Sequence, residues 1–389
     1  MGRPRPTGGA MPASAAGEAP TSEPAGAPTA SGTAATPPAL QMRLRLPAAY
    51  DLGWVFGFLA DRAAPSIERV DATGLLRVVR IDGLPVVLSV RLAGRERPSS
   101  PRRLAPGPAA RRWLVVEAVP AGVAPASVRR LVRRMLDLDT DLDPFLELAR
   151  RNPVLAPLVA RHPGLRLPQL PDGFEGLVRA IVGQQVSVAA ARTVVDRLVR
   201  QLGDPAGGDL GGTEGAAGSA IGGGPAPGGS PAFGGGLFAF PRPAAVAAAP
   251  LDRLTALGLT RAKAAALIAA AAATRDGALD WERLRACPPE AAQAALLALP
   301  GIGPWTAAYV RMRALGDRDA FPTADLGILK ALAARLPGAA RPLGAARPLG
   351  AARPLGAARP NLAEIDALAQ GWRPYRAYAA IHLWRSLSA

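Results

Sequence analysis

Cysteine occurs once in 389 residues, as Cys287, and histidine twice, as His162 and His382. A disulfide framework, a cysteine-ligated zinc site and a four-cysteine iron–sulfur cluster are thereby excluded, and a histidine-rich metal site is disfavoured. Lysine is equally scarce, at Lys263 and Lys330. Long apolar runs are missing too. None reaches the ~18 residues of a membrane span, and the N-terminus lacks the continuous apolar stretch of a signal peptide. The expectation is a cytoplasmic protein with no membrane partner and no metal site.

What is present is apolar bulk and arginine. At 49% hydrophobic residues the chain can bury a sizeable core, and its length suits two domains. Forty-six Lys and Arg against thirty Asp and Glu give a net charge of +16 and a pI near 11.4. That excess suits a polyanion. Residues 1 to 41 balance Arg3 and Arg5 against Glu18 and Glu23, and residues 204 to 240 carry only Asp204, Asp209 and Glu214. The basic excess therefore belongs to the folding part. An arginine-rich coding bias would look the same, so charge alone does not decide for nucleic acid.

Residues 1 to 41 hold almost no large apolar side chains and cannot offset the entropy of ordering, which predicts a disordered tail. Residues 42 to 136 read as a small α+β domain. Period-two alternation marks strands at Met42 to Leu46, Leu76 to Ile81, Val86 to Leu92 and Trp113 to Glu117. Helical spacing marks Tyr50 to Arg62, with Asp51 as its cap, and Ala126 to Leu136.

Residues 137 to 389 read as an all-helical domain without strands. Helices are predicted over Asp143 to Arg151, Phe174 to Val182, Val186 to Leu202, Ala244 to Leu257, Arg261 to Ala273, Pro289 to Leu299, Pro304 to Ala314, Asp325 to Leu336, Leu362 to Ala369 and Arg376 to Leu387. Two low-complexity stretches interrupt them. Residues 204 to 236 read as a flexible surface loop. Residues 339 to 360 repeat Ala-Ala-Arg-Pro-Leu-Gly, a period too short for a helical solenoid and best explained by slippage in a tolerant loop.

The segment Leu299-Pro-Gly-Ile-Gly-Pro-Trp-Thr-Ala-Ala-Tyr309 sets two glycines between two helical patterns. Gly301 and Gly303 permit backbone angles and a close approach that side chains would obstruct. Pro304 opens the next helix, whose N-terminal amides, around Ile302 to Thr306, suit a phosphate. The bland alternative is an ordinary turn between packed helices.

This segment is followed by Phe321-Pro-Thr-Ala-Asp-Leu326 and by Trp372-Arg-Pro-Tyr-Arg-Ala-Tyr-Ala-Ala-Ile-His-Leu-Trp384, and preceded by Phe174-Glu-Gly-Leu-Val-Arg-Ala-Ile-Val-Gly-Gln-Gln-Val-Ser187. In that order the motifs resemble the helix-hairpin-helix base-excision DNA glycosylases, and among them the bacterial 3-methyladenine DNA glycosylase II type. The resemblance spans about residues 42 to 389 outside the two insertions. It implies a TATA-binding-protein-like α+β N-terminal domain followed by an all-α helix-hairpin-helix glycosylase domain, acting as a monomer on double-stranded DNA with a damaged base.

The resemblance also assigns roles. Asp325 would be the catalytic carboxylate, stabilising positive charge on the sugar as the base departs; capping the following helix is its plain structural role. Trp305, Tyr309, Trp384 and Phe58 would wall the base pocket, although aromatics at helical spacing are more often core. Gly301, Ile302, Gly303 and Thr306 would form the DNA-binding hairpin. Gln185 stands where the family wedges an apolar side chain into the gap left by a flipped base, and Gln184 and Gln185 could instead only satisfy backbone groups at a helix entry. Trp305 occupies the place where strand-cutting relatives carry a lysine for a Schiff base, implying a monofunctional enzyme. An aromatic pocket suits cationic alkylated purines. Such bases already leave readily, so His382 needs no catalytic role. Asp317 and Asp319 lie in a polar turn and are expected to be solvated. No cofactor is required; the resemblance leaves room for a monovalent cation on the hairpin carbonyls. A glycosylase for oxidised or deaminated bases and a catalytically silent damage-binding module remain as alternatives.

Overall fold

The computed structural model describes residues 2, 39–93, 112–206, 236–335 and 361–387. The repeat at 339–360 lies outside them, as do nearly all of the predicted tail and of the loop over 204–236.

Five antiparallel strands form one sheet: β1 (Leu40–Arg45), β2 (Glu68–Val70), β3 (Gly74–Ile81), β4 (Leu84–Leu92) and β5 (Trp113–Val119), in the order β1-β5-β4-β3-β2. Strand β1 starts inside the stretch read as tail, and β2 was not predicted, being three residues long. Register is set by alternation: Val87 faces Val119 across β4 and β5, and Leu75 faces Val90 across β3 and β4. Two helices cover the sheet. Leu52–Ala60 is capped by Asp51, whose Oδ1 accepts the Trp54 amide at 3.0 Å. Pro125–Met135 buries Val128, Leu131, Val132 and Met135 on one stripe. Val55, Phe56, Leu88, Leu114 and Val128 belong to the resulting core.

The rest is helical with one exception. A short antiparallel pair, β6 (Asp204–Pro205) with β7 (Phe238–Ala239), closes the base of the intervening loop, so the expectation of no strand beyond Asp137 is corrected. Asp204 fixes it by pairing with Arg80 and with Arg242 at 3.0 Å. The single helix expected over Ala244 to Leu257 is two, Pro243–Ala247 and Leu251–Thr255, because Pro250 cannot continue the first. Ala156–Arg161 and Trp281–Ala286 are helices missed for their shortness. The hairpin helix runs only over Pro304–Val310; Arg311–Leu315 then widens into a π-turn that stops at Gly316.

Two apolar clusters organise the helices. One gathers Leu177, Ile181, Leu198, Leu267, Ala307 and Val310. The other gathers Phe145, Leu155, Ile328, Trp372, Tyr378 and Ile381. A quartet of buried charges joins sheet to helices. Arg77 on β3 pairs with Glu68 at 2.9 Å and with Glu175 at 2.8 Å, and Arg179 pairs with the same two carboxylates at 2.8 Å each. Burial alone would raise the Glu175 carboxyl, but Arg77 and Arg179 overcome it and hold it below its usual range.

Candidate active site

The hairpin divides its labour between the two glycines. Gly301 has φ +77°, which glycine tolerates, and a Cβ there would sit 2.9 Å from the Ala266 Cβ. Gly303 has ordinary extended angles, and a Cβ there would meet nothing within 4 Å. Its missing side chain leaves space on the outside, where a partner's backbone could come close. Ile302 is buried and seats the turn. Thr306 is buried too, and its hydroxyl accepts the Gln184 side-chain amide at 3.0 Å, so only its backbone N–H is left for a ligand.

Gln184 also donates to the Gly301 carbonyl at 3.0 Å. Lys263 in turn donates to the carbonyls of Val182 (2.9 Å) and Gln184 (2.6 Å), closing the end of the helix Gly173–Gly183 against the hairpin. Gln184 thus satisfies backbone groups, whereas Gln185 does not share that task. Gln185 is exposed with φ +56° at the turn into the helix Val188–Leu202. Val186 and Val188, each 46% exposed, flank it.

Beyond the hairpin, Trp305 and Tyr309 stack with ring centroids 5.4 Å apart, as their four-residue spacing requires. Trp384 arrives from the C-terminal helix Arg376–Arg385, 6.4 Å from Tyr309. Asp325 caps the helix Leu326–Ala333: its Oδ1 accepts the Ile328 amide at 3.0 Å. The same oxygen accepts the Trp384 indole N–H at 2.8 Å, and Oδ2 accepts that of Trp305 at 3.2 Å. Cap and candidate catalyst are therefore one residue.

Trp305, Tyr309, Asp325 and Trp384 line a cleft of about 410 Å³, together with Arg62, Arg179, Val186 and Leu326 among others. The cleft opens where the two apolar clusters meet, since Trp305 and Tyr309 stand on a helix of the first and Asp325 and Trp384 on helices of the second. Phe58 is not one of its lining residues. It is 6% exposed and stacks on Trp384 at 6.2 Å, backing the wall instead of forming it.

Sequence reasoning missed Gly327. A Cβ there would lie 3.0 Å from both Asp325 Oδ1 and Trp384 Cδ1, so glycine is what lets the indole reach the carboxylate. It follows directly on the motif ending at Leu326 and was open to reading. Arg62 gave no such signal. Asp317 and Asp319 correct another expectation: they are ion-paired, not solvated, Asp317 with Arg311 and Asp319 with Arg373 (3.0 Å) and Arg376 (2.8 Å). His382 is 2% exposed against Phe145, and burial pushes it down to about 3, which leaves it a neutral core residue. Among the described residues no three His, Cys, Asp or Glu side chains come together to hold a metal ion, and no helix is long and apolar enough to cross a membrane.

Comparison with known proteins follows the same division. Residues 40–172 match the AlkA N-terminal domain, and residues 178–339 match the HhH-GPD superfamily base excision DNA repair protein. Over its helical part the chain is therefore similar to the HhH-GPD superfamily. Similar to it is a probable bifunctional transcriptional activator/DNA repair enzyme AlkA of Mycobacterium tuberculosis, 33% identical over 90% of this chain. The chain spans 57% of that relative's length. DNA-3-methyladenine glycosylase 2 of Escherichia coli is 29% identical, over 86% of this chain and 93% of its own. Among solved structures, a 3-methyladenine DNA-glycosylase from Archaeoglobus fulgidus superposes with a TM-score of 0.65 at 21% identity, covering 89% of this chain and 99% of that one. The sheet with its covering helices falls in the first match, and the hairpin-bearing helical part in the second.

Proposed function

We propose that the chain is a monofunctional DNA glycosylase of base excision repair, which flips alkylated purines of the 3-methyladenine type out of duplex DNA and hydrolyses the N-glycosidic bond to leave an abasic site. The observation that carries this reading is the carboxylate of Asp325, held by two indole N–H groups and one amide at the mouth of an aromatic cleft. A fixed carboxylate stabilises the positive charge that develops on the deoxyribose as the base leaves, and water then adds to C1′. Because its orientation is set beforehand, little reorganisation is needed when charge appears.

The hairpin Gly301–Ile302–Gly303, with the Thr306 amide behind it, would grip a phosphate next to the lesion without reading sequence. The net charge of +16 adds affinity that falls with salt. Trp305, Tyr309 and Trp384 would stack on the flipped base, with Phe58 as backing. Gln185, lifted into solvent by its left-handed backbone, would enter the gap left in the duplex and can hydrogen-bond the orphaned base. The protein would act as a monomer.

Absence of lyase activity follows from the lysines. Lys263 is engaged on two carbonyls outside the cleft, and Lys330 does not line it either. The chemistry uses only the chain's own groups. The carbonyls of Leu299 and Gly301 each accept one hydrogen bond and keep a second lone pair, which fits a monovalent cation supporting the phosphate grip.

The test is release of free base from methylated duplex DNA by wild type and Asp325→Asn. Loss of release with retained DNA binding supports the reading. Equal release by both proteins sinks the catalytic assignment, and tight binding with no release by wild type favours a damage-binding module. Borohydride trapping of a covalent adduct would contradict monofunctional chemistry.

A further inference from the structure

Of the guanidiniums that line the cleft, Arg179 and Arg62 are already engaged. Arg179 is neutralised by Glu68 and Glu175, and Arg62 donates to the Phe58 carbonyl at 3.1 Å with its Cζ 3.7 Å from the centroid of that ring. Arg192 also lines the cleft, but it is exposed and makes no hydrogen bond or ion pair among the described residues. Other arginines of its helix, Val188–Leu202, do find partners: Arg197 donates to the Leu257 carbonyl at 3.1 Å, and Arg200 pairs with Asp196 at 2.9 Å. Val188, Ala191, Arg192 and Val195 all line the cleft, and their spacing of three and four residues makes them one helix face. Arg192 is therefore turned toward the cleft, and no described carboxylate takes up its charge.

The surroundings give such a cation a use. Among the described residues Asp325 is the one carboxylate lining the cleft, and the rim around it is apolar: Val186 and Val188 are each 46% exposed, Leu387 45% and Leu326 60%. A nucleotide can present its C1′ to Asp325 only if the phosphates joined to its sugar come to that rim as well. There they meet a like charge and lose water against apolar side chains, and both effects oppose extrusion. A free guanidinium on the cleft wall offsets them with charge-assisted hydrogen bonds to phosphate oxygens. Gln185 sits in the turn that enters the same helix. The group that would fill the gap in the duplex and the group that would hold the displaced strand are thus carried on one rigid element.

We propose that Arg192 is a positioning residue that binds a phosphate of the flipped nucleotide, a second grip beside the one at the hairpin, and holds the sugar over Asp325. The inference rests on the glycosylase reading above. Arg192 takes no part in bond breaking; it shifts the balance between the stacked and the flipped nucleotide.

The experiment pairs a change in the protein with a change in the DNA. Arg192→Gln removes the cation, and a methylphosphonate in place of the 5′ or the 3′ phosphate of the target nucleotide removes the anion. Affinity is measured at fixed salt for duplexes carrying an uncleavable abasic analogue at the target position, which needs no chemistry. Single-turnover release of 7-methylguanine is measured in parallel. On all-phosphate DNA, Arg192→Gln should weaken binding of the abasic analogue by about tenfold to a hundredfold, the scale of one hydrogen bond between charged groups, and slow release by a like factor. Binding of undamaged duplex should change far less. At one of the two methylphosphonate positions wild type should lose that same factor and Arg192→Gln little more, because the partner is already gone. Arg192→Lys keeps the charge and should recover part of the loss. Losses that simply multiply at both positions overturn the inference, as does unchanged affinity in Arg192→Gln. Coupled losses in affinity with no release of 7-methylguanine by wild type would leave the phosphate grip standing and remove the glycosylase reading instead.

Discussion

The indole N–H of Trp384 reaches Oδ1 of Asp325 at 2.8 Å, sharing that oxygen with the Ile328 amide. Trp384→Phe keeps an aromatic wall and removes the donor. A hydrogen bond to a charged group contributes about 1.5–3 kcal/mol, so base release should slow by roughly tenfold to a hundredfold. Duplex affinity should stay near wild type. Single-turnover release and a binding titration check this; a matching loss in both would mean that the ring, not the N–H, is what matters.

Gly327→Ala separates activity from stability. The added methyl would press on Asp325 and Trp384 at 3.0 Å, so the indole must shift. Replacing glycine in a helix otherwise stabilises by up to about 1 kcal/mol. Slower base release with an unchanged or higher melting temperature is the expected outcome, and normal release would show that the contact relaxes harmlessly.

Gln184→Ala cuts the link between the Gln185 turn and the hairpin, removing donors to the Gly301 carbonyl and the Thr306 hydroxyl. Because the buried Thr306 hydroxyl loses a partner, a stability cost of about 1–3 kcal/mol is expected. The larger effect should be on duplex affinity, measured at fixed salt, since hairpin and wedge no longer hold a common spacing. Unaltered affinity would remove the coupling.

Acid stability carries two signatures. His382 has its folded value depressed to about 3. The unfolded chain therefore binds its proton first, and stability should begin to fall as pH drops below about 6.5. Glu175 is likewise depressed, so its contribution is present above its ordinary value of 4.5 and is lost as pH falls below that. Denaturant unfolding between pH 7 and 4 should show a slope that His382→Phe flattens. An unchanged slope would assign acid sensitivity elsewhere.

At neutral pH, Glu175→Gln breaks a buried quartet and leaves guanidinium charge uncompensated. Removing one partner of such a pair costs about 3–5 kcal/mol. A shift of denaturation midpoint well under that range would mean that Glu68 alone carries both arginines.

Sequence revealed what local chemistry encodes. Alternation located four of the five strands, and the four-residue spacing of Trp305 and Tyr309 put both rings on one face. Asp325 read correctly as a helix cap, because capping depends on the next three residues. What escaped was either short or distant. β2 is too short to show a period. The break at Pro250 was legible but overridden by apolar spacing on both sides. Asp319 looked solvated because its partner Arg376 lies 57 positions away. Lys263 gave no hint of the carbonyls it holds about 80 residues earlier. Phe58 was placed in the pocket by resemblance, and its burial behind Trp384 follows from packing that no single segment specifies.

The charged quartet also bears on how divisible the molecule is. One family match ends at residue 172 and the next begins at 178, yet Glu68 and Arg77 lie before that gap, Glu175 within it and Arg179 beyond it. Parting the two halves would leave Glu68 and Arg77 with only each other, each having lost one of two partners, and would loosen the Arg179 wall of the cleft. The sheet is thus no detachable accessory, and a swap of N-terminal halves between relatives would have to carry both Glu68 and Arg77 with it.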